Sequence, residues 1–137
     1  MTSLPDILHD LGTHLERAHF DSLAQQEAGA FGDANRVFER HPLRIVVGVE
    51  RGVPFLQMSL AGIQAEWFDL DLWRSCLEAA APPSEPRSLA EQARYLRQHL
   101  DDFANLAGDG DRLIGCLEEA ARRRAESRYG IQLPPIP

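Results

Sequence analysis

The chain has no lysine, no long apolar run and only two cysteines. Its apolar runs, such as Val46-Val47 and Ala79-Ala80-Ala81, fall far short of the roughly 20 residues that a bilayer-spanning helix needs. No membrane partner is therefore expected. Met1 to Arg17 mixes acids and histidines into a helical pattern. It lacks the basic start, apolar centre and small-residue cleavage site of a signal peptide, so a cytoplasmic location is the expectation. Cys76 and Cys116 are separated by many residues, each inside a predicted helix. Without an export signal they read as two buried or half-buried thiols, and two isolated cysteines do not make a zinc site. A positive balance is missing too: net charge is −7. Nucleic-acid binding needs phosphate neutralisation, so the acidic balance argues against it while remaining compatible with a basic protein partner. Every basic residue is Arg, and Ala is abundant, a composition that points to a GC-rich genome.

What is present is globular. At 137 residues, 44% hydrophobic and 26% charged, the chain has the size and composition of one domain spanning 1–137. Leu4, Ile7, Leu8, Leu11 and Leu15 recur at helical spacing and predict a helix from Ser3 to Arg17, with Ser3 as cap, Asp6 in the first turn and Gly12 weakening it slightly. Asp21 to Gly29 reads either as a short polar helix or as a loop. Leu43, Ile45, Val47 and Val49 alternate with Arg44, Val46, Gly48 and Glu50, the period of a strand. Arg51-Gly52 offers a tight turn, and Leu56, Met58 and Leu60 mark the return strand. Asn35 to Arg40, joined through His41-Pro42, adds a third strand, and Trp67-Phe68 a short fourth. From Asp69 the period turns helical, with Asp69 or Asp71 as cap and Leu70, Trp73 and Leu77 on one face. Pro82-Pro83-Ser84-Glu85-Pro86 stops that helix. Ser88 to Ala107 is a helix with Leu89, Ala93, Leu96, Leu100, Phe103 and Ala107 inward, a Ser88/Glu91 capping box and Gly108 at its end. Asp109 or Asp111 opens a last helix striped with Leu113, Ile114, Leu117, Ala120 and Ala121, with Arg122, Arg123 and Arg124 in its last turns. The fold class is α+β: a short antiparallel sheet of three to four strands, about 35–68, packed with an N-terminal helix and three C-terminal helices.

Few patterns carry chemistry. His9, His14 and His19 are spaced by five, which turns successive rings to different sides of a helix, whereas zinc helices use three or four. Asp109-Gly110-Asp111 has no closing Glu for a calcium loop. No serine sits in a nucleophile elbow, and no glycines form a phosphate loop. No metal and no cofactor are expected. His99, with Tyr95 four residues before it and Asp102 three after, has the spacing of a proton relay; a solvated helix flank has the same spacing. From Asp101 to Glu119 there are six acids, Asp101, Asp102, Asp109, Asp111, Glu118 and Glu119, against one base, Arg112. From Arg122 to Arg128 there are four bases and one acid. This asymmetry fits either helix-dipole complementarity or an acidic docking surface followed by a basic flank.

The order of an N-terminal helix, Val37-Phe38-Glu39-Arg40, Glu50-Arg51-Gly52, an aromatic return at Phe55, Trp67-Phe68-Asp69-Leu70 and Leu89-x-x-Gln92-Ala93-x-x-Leu96 resembles small proteins of GC-rich bacteria, some of which act as immunity partners of secreted toxins. The likeness covers about Phe31 to Ala107. It implies a non-enzymatic protein that blocks a toxin by stoichiometric binding, and it carries over no catalytic residues. Two other readings stand beside it: a homodimeric structural or regulatory protein joined through an exposed apolar helix face, and an enzyme using His99, Asp102 and Tyr95.

Overall fold

The computed structural model describes residues 4–26, 34–61 and 66–129. Helix α1 (Leu4–Arg17) buries Leu11 and Leu15 and half-buries Ile7 and Leu8, the stripe its spacing predicts. The expected cap, Ser3, lies outside the described residues. Gly12 has a packing role beyond its cost to the helix: a Cβ there would stand 2.6 Å from the Arg36 guanidinium and 3.4 Å from the Phe38 ring. The helix closes at Ala18, whose carbonyl accepts from Arg40 at 2.7 Å. The Arg40 guanidinium also lies 4.7 Å from the centre of the Phe20 ring.

Five strands follow in a meander, each antiparallel to the next: β1 (Asp21–Gln26), β2 (Ala34–Arg40), β3 (Leu43–Glu50), β4 (Val53–Leu60) and β5 (Phe68–Asp69). The class is the α+β expected, but the sheet is larger than the predicted three to four strands over about 35–68. The added strand is β1, in the stretch read from sequence as polar helix or loop, of which residues 27–29 lie outside the described ones. Its pattern was hidden for a physical reason. β1 is an edge strand paired only with β2, its register shifts between Ser22 and Ala24, and Asp21, Ser22 and Leu23 are exposed. A mostly polar edge strand interrupted by a bulge has no apolar alternation to show. At the β3–β4 turn Arg51 and Gly52 both adopt positive φ, 51° and 79°, the handedness that suits the twist of a two-residue hairpin and that Gly adopts freely. The β2–β3 turn carries a cis His41-Pro42 bond.

One face of the sheet is the floor of the core. Phe38, Leu43, Ile45, Val47, Leu56, Met58 and Leu60 are buried on it. Helix α2 (Leu70–Glu78) starts at Asp69, whose carboxylate accepts the Leu72 N–H at 3.2 Å. Of the two expected caps, Asp69 is therefore the cap, and Asp71 does something else. Asp71 is 2% exposed and accepts from the Arg87 guanidinium at 2.8 Å and the Arg87 N–H at 3.1 Å. The bond pins the proline connector against α2. The helix ends before those prolines, at Ala79 in the left-handed conformation (φ 52°).

Helix α3 (Leu89–Ala107) starts with the Ser88 hydroxyl accepting the Glu91 N–H at 3.2 Å. All six residues of its predicted stripe are buried. Its backbone departs from helical values at His99 (φ −121°, ψ 22°), and Gly108 ends it in right-handed conformation. Helix α4 (Gly110–Tyr129) buries Leu113, Leu117 and Ala120. It runs on to Tyr129, with Arg122–Arg124 about two turns from that end. Arg122 and Arg123 pair with Glu119 on the same helix, whereas Arg124 reaches sideways to bond Asp69 at 2.6 Å and, farther along, Arg128 donates to the Ser84 carbonyl at 2.8 Å.

The two cysteines correct the expectation of free thiols. Cys76 of α2 and Cys116 of α4 form a disulfide with Cα atoms 6.0 Å apart. Cys116 is exposed and Cys76 half-buried. Partners 40 positions apart are brought together by the packing of α2 on α4, which no local motif announces.

Two stability measurements follow. Leu96 is fully buried, so Leu96→Ala is expected to cost about 2–5 kcal/mol in chemical denaturation; a change under about 0.5 kcal/mol would put the α3 stripe on another face. Cys116→Ser is expected to lose about 3–4 kcal/mol through the opened loop. A reductant should destabilise the wild type by a similar amount and leave the variant unchanged.

Candidate functional site

The six acids singled out by sequence do not form one patch. Asp101 projects from α3, 96% exposed at its side chain, 3.6 Å from the Arg40 guanidinium. Asp102 turns the other way and meets His99 Nδ1 at 2.9 Å. Glu119 is held by Arg122 and Arg123 on its own helix, and the hydrogen bond from Arg122, with the charges of both arginines, draws its pKa below the ordinary carboxylate value. Asp109, Asp111 and Glu118 are exposed and have no ion-pair partner among the described residues. Asp111 and Glu118, seven residues apart on α4, share one face of that helix.

A groove of about 560 Å³ adjoins these acids where the α3–α4 turn meets the β2–β3 turn, lined among others by His41, Pro42, Ala61, Ala104, Asn105 and Gly108. Asp101 precedes Ala104 and Asn105 by three and four residues, the spacing of helical neighbours. Asp109 stands between Gly108 and Gly110, both of which line the groove. Asp101 and Asp109 thus flank it, with Asp111 next along the chain. Ala61, Ala104, Ala107, Gly108 and Gly110 supply the small part of its lining. Neither His41 nor Asn105 suggested this in the sequence, since the groove exists only once the two turns meet.

The trio proposed as a relay is arranged differently from its sequence spacing. The Tyr95 ring stacks on His99, centroids 4.1 Å apart, but its hydroxyl donates to Glu78 of α2 at 2.8 Å. The Tyr95 hydroxyl, His99 and Asp102 therefore do not line up as one proton path. Arg74 completes the cluster, 4.0 Å from the centre of the Tyr95 ring and 3.2 Å from Glu78. The Tyr95 hydrogen bond, aided by Arg74, lowers the Glu78 pKa against the opposing effect of burial. Burial first, and the Glu78 carboxylate second, push the Tyr95 phenol up to about 12. The cluster clamps α2 to α3 with polar groups that satisfy one another. Glu78 was the partner invisible in sequence, because it stands on another helix.

A second recess lies on the outer face of the sheet, where Val46 and Ser59 are buried. Val37 lies opposite Val46, Val46 opposite Gln57 and Gly48 opposite Phe55. Around them runs a shallow groove of about 370 Å³, bordered by Val53 and Trp67, which are 65% and 38% exposed. Sequence analysis weighed an apolar helix face for self-association and passed over this one.

Among the described residues no helix is long and apolar enough to cross a membrane, and no three His, Cys, Asp or Glu side chains are grouped to hold a metal ion. The chain matches no protein-family profile, no curated protein and no solved structure.

The Tyr95 environment has a pH consequence. The phenol's folded pKa lies above its ordinary value of 10.0, so the stability contributed by protonated Tyr95 is complete below about pH 10 and is lost as pH rises through about 12. Ultraviolet titration of the two tyrosines should show a phenolate step near pH 12 that Tyr95→Phe removes and Glu78→Gln shifts downward. A Tyr95 step at the ordinary value would mean that its hydroxyl faces water.

Proposed function

We propose that the chain is a non-enzymatic binding protein whose α3–α4 turn docks a basic protein partner, in the manner of an immunity-type antidote that occludes a toxin. The observation that carries the reading is the small-residue groove flanked by Asp101 and Asp109, with the unpaired carboxylates of Asp111 and Glu118 beyond it. Carboxylates without internal partners keep their full field for an incoming cation, whereas Glu119 and Asp102 spend theirs within the chain. A negative field around a shaped recess speeds association with a positive surface and fixes its register. The toxin assignment rests on the resemblance noted from the sequence. The relay reading is less favoured, because the Tyr95 hydroxyl is engaged by Glu78. As to location, the Cys76–Cys116 bond suits an oxidising compartment better than a reducing cytosol, and weighs against the cytoplasmic expectation.

The test is kinetic. A partner captured from the host by the wild type is titrated against Asp109→Asn/Asp111→Asn/Glu118→Gln. The on-rate should fall about tenfold, with a weaker salt dependence and a smaller change in off-rate. An on-rate indifferent to both substitution and salt would remove the acidic turn from recognition.

A further inference from the structure

Helix α4 is held to the chain differently from the helix before it. Over its 19 residues α3 buries seven apolar or aromatic side chains. Over 110–128, α4 buries Leu113, Leu117 and Ala120. That is little apolar area to offset the ordering of about five turns of backbone. We propose that the Cys76–Cys116 bond is a redox-operated clasp: while it is formed α4 stays docked on α2, and once it is reduced α4 undocks locally while the sheet, α1, α2 and α3 keep their packing.

Two ties bracket the seam between α2 and α4. Arg124, towards the end of α4, meets Asp69 at the start of α2 at 2.6 Å. Cys116, in the first half of α4, is bonded to Cys76 near the end of α2. The two helices therefore run antiparallel, with Leu117 and Ala120 between the ties, which stand about two helical turns apart. Reduction removes the covalent tie. What remains is an ion pair whose side chains are 19% and 31% exposed, and, beyond it, the exposed bond from Arg128 to the Ser84 carbonyl. Partly exposed pairs of this kind add little stability. Gly115 softens the helix beside the clasp. A Cβ there would meet nothing within 4 Å, so no close approach demands glycine, and glycine inside a helix favours opening relative to alanine.

The other elements have ties of their own. Trp73 joins β4, α2 and α3 through the Met58 carbonyl and the Phe103 ring. Tyr95 and Glu78 join α3 to α2, Arg87 holds Asp71, and α1 packs on α3. None of these contacts includes a residue of α4.

Of the two cysteines, Cys116 is exposed and Cys76 half-buried. One thiolate of a dithiol reductant attacks the Cys116 sulfur, the bond to Cys76 breaks, and Cys76 leaves as a thiolate. The second thiol of the reductant then displaces Cys116. The reductant ends as a disulfide, and its two electrons and two protons end on the two cysteine thiols.

Hydrogen exchange on the full chain, oxidised and after dithiothreitol, tests the clasp. On reduction the α4 amides around Leu117 should speed up at least about tenfold more than the α3 amides around Leu96. Cys76→Ser/Cys116→Ser should match the reduced wild type and ignore dithiothreitol. In the reduced state Gly115→Ala should slow α4 exchange about fivefold. Equal acceleration of α3 and α4 overturns the proposal, because the bond would then act on global unfolding alone. So does α4 exchange unchanged by reduction, or protection lost throughout the chain. The readouts use this chain by itself, so they are independent of the proposed partner.

Discussion

One buried indole sets the geometry on which the rest of the fold depends. Trp73 is fully buried. Its Nε1–H donates to the Met58 carbonyl at 3.0 Å, and its ring meets Phe103 edge-on with centroids 6.1 Å apart. One side chain thereby fixes β4, α2 and α3 relative to one another. A buried N–H without a partner costs a few kcal/mol, so the indole admits few orientations, and the helices take their places from it. Asp71, two residues earlier, adds a second constraint by gripping Arg87 across the proline connector. Breaking a buried pair strands one charge in a poor solvent, which gives the connector a defined path although it has little regular structure.

Electrostatics then divides the molecule. The basic flank of α4 turns inward along the surface: Arg124 reaches Asp69, Arg128 reaches Ser84, and Arg122 lies between Glu119 and Glu126. The sequence asymmetry between acids and bases therefore becomes an asymmetry of engagement. Arg124 and Arg128 act as ties between elements, while Asp109, Asp111 and Glu118 stay exposed near the α3–α4 turn and along α4. Individual surface pairs contribute little stability; their effect here is to decide which charges remain open to a visitor.

How much could be read from the residues depended on how each signal is encoded. The α3 stripe was legible to the residue, because a helix packed on one side writes its burial into its spacing. The β3–β4 hairpin was legible because one face is core. β1 was not, since a mostly polar edge strand broken by a register shift carries no clear period. Asp71 looked like a second cap and is instead a buried ion-pair member, a difference that depends on Arg87 arriving from across the connector. The Cys76–Cys116 bond and the Tyr95–Glu78 contact were hidden in the same way: both join residues on different helices, and a single sequence reports no such neighbours. Of the candidate site, the identity of the acids was readable. Their separation into engaged and open groups, and the groove beside them, belong to tertiary structure alone.

The margins of the sheet carry a last consequence. A β-sheet invites further strands along any long, regular edge, and such recruitment leads to fibrils. Here one margin is β1, polar and broken by a register shift, and the other is β5, two residues long and leading straight into α2. The first is interrupted by its bulge, and the second is too short to act as a template. The bulge on one side and the brevity of the strand on the other both work against recruitment of further strands.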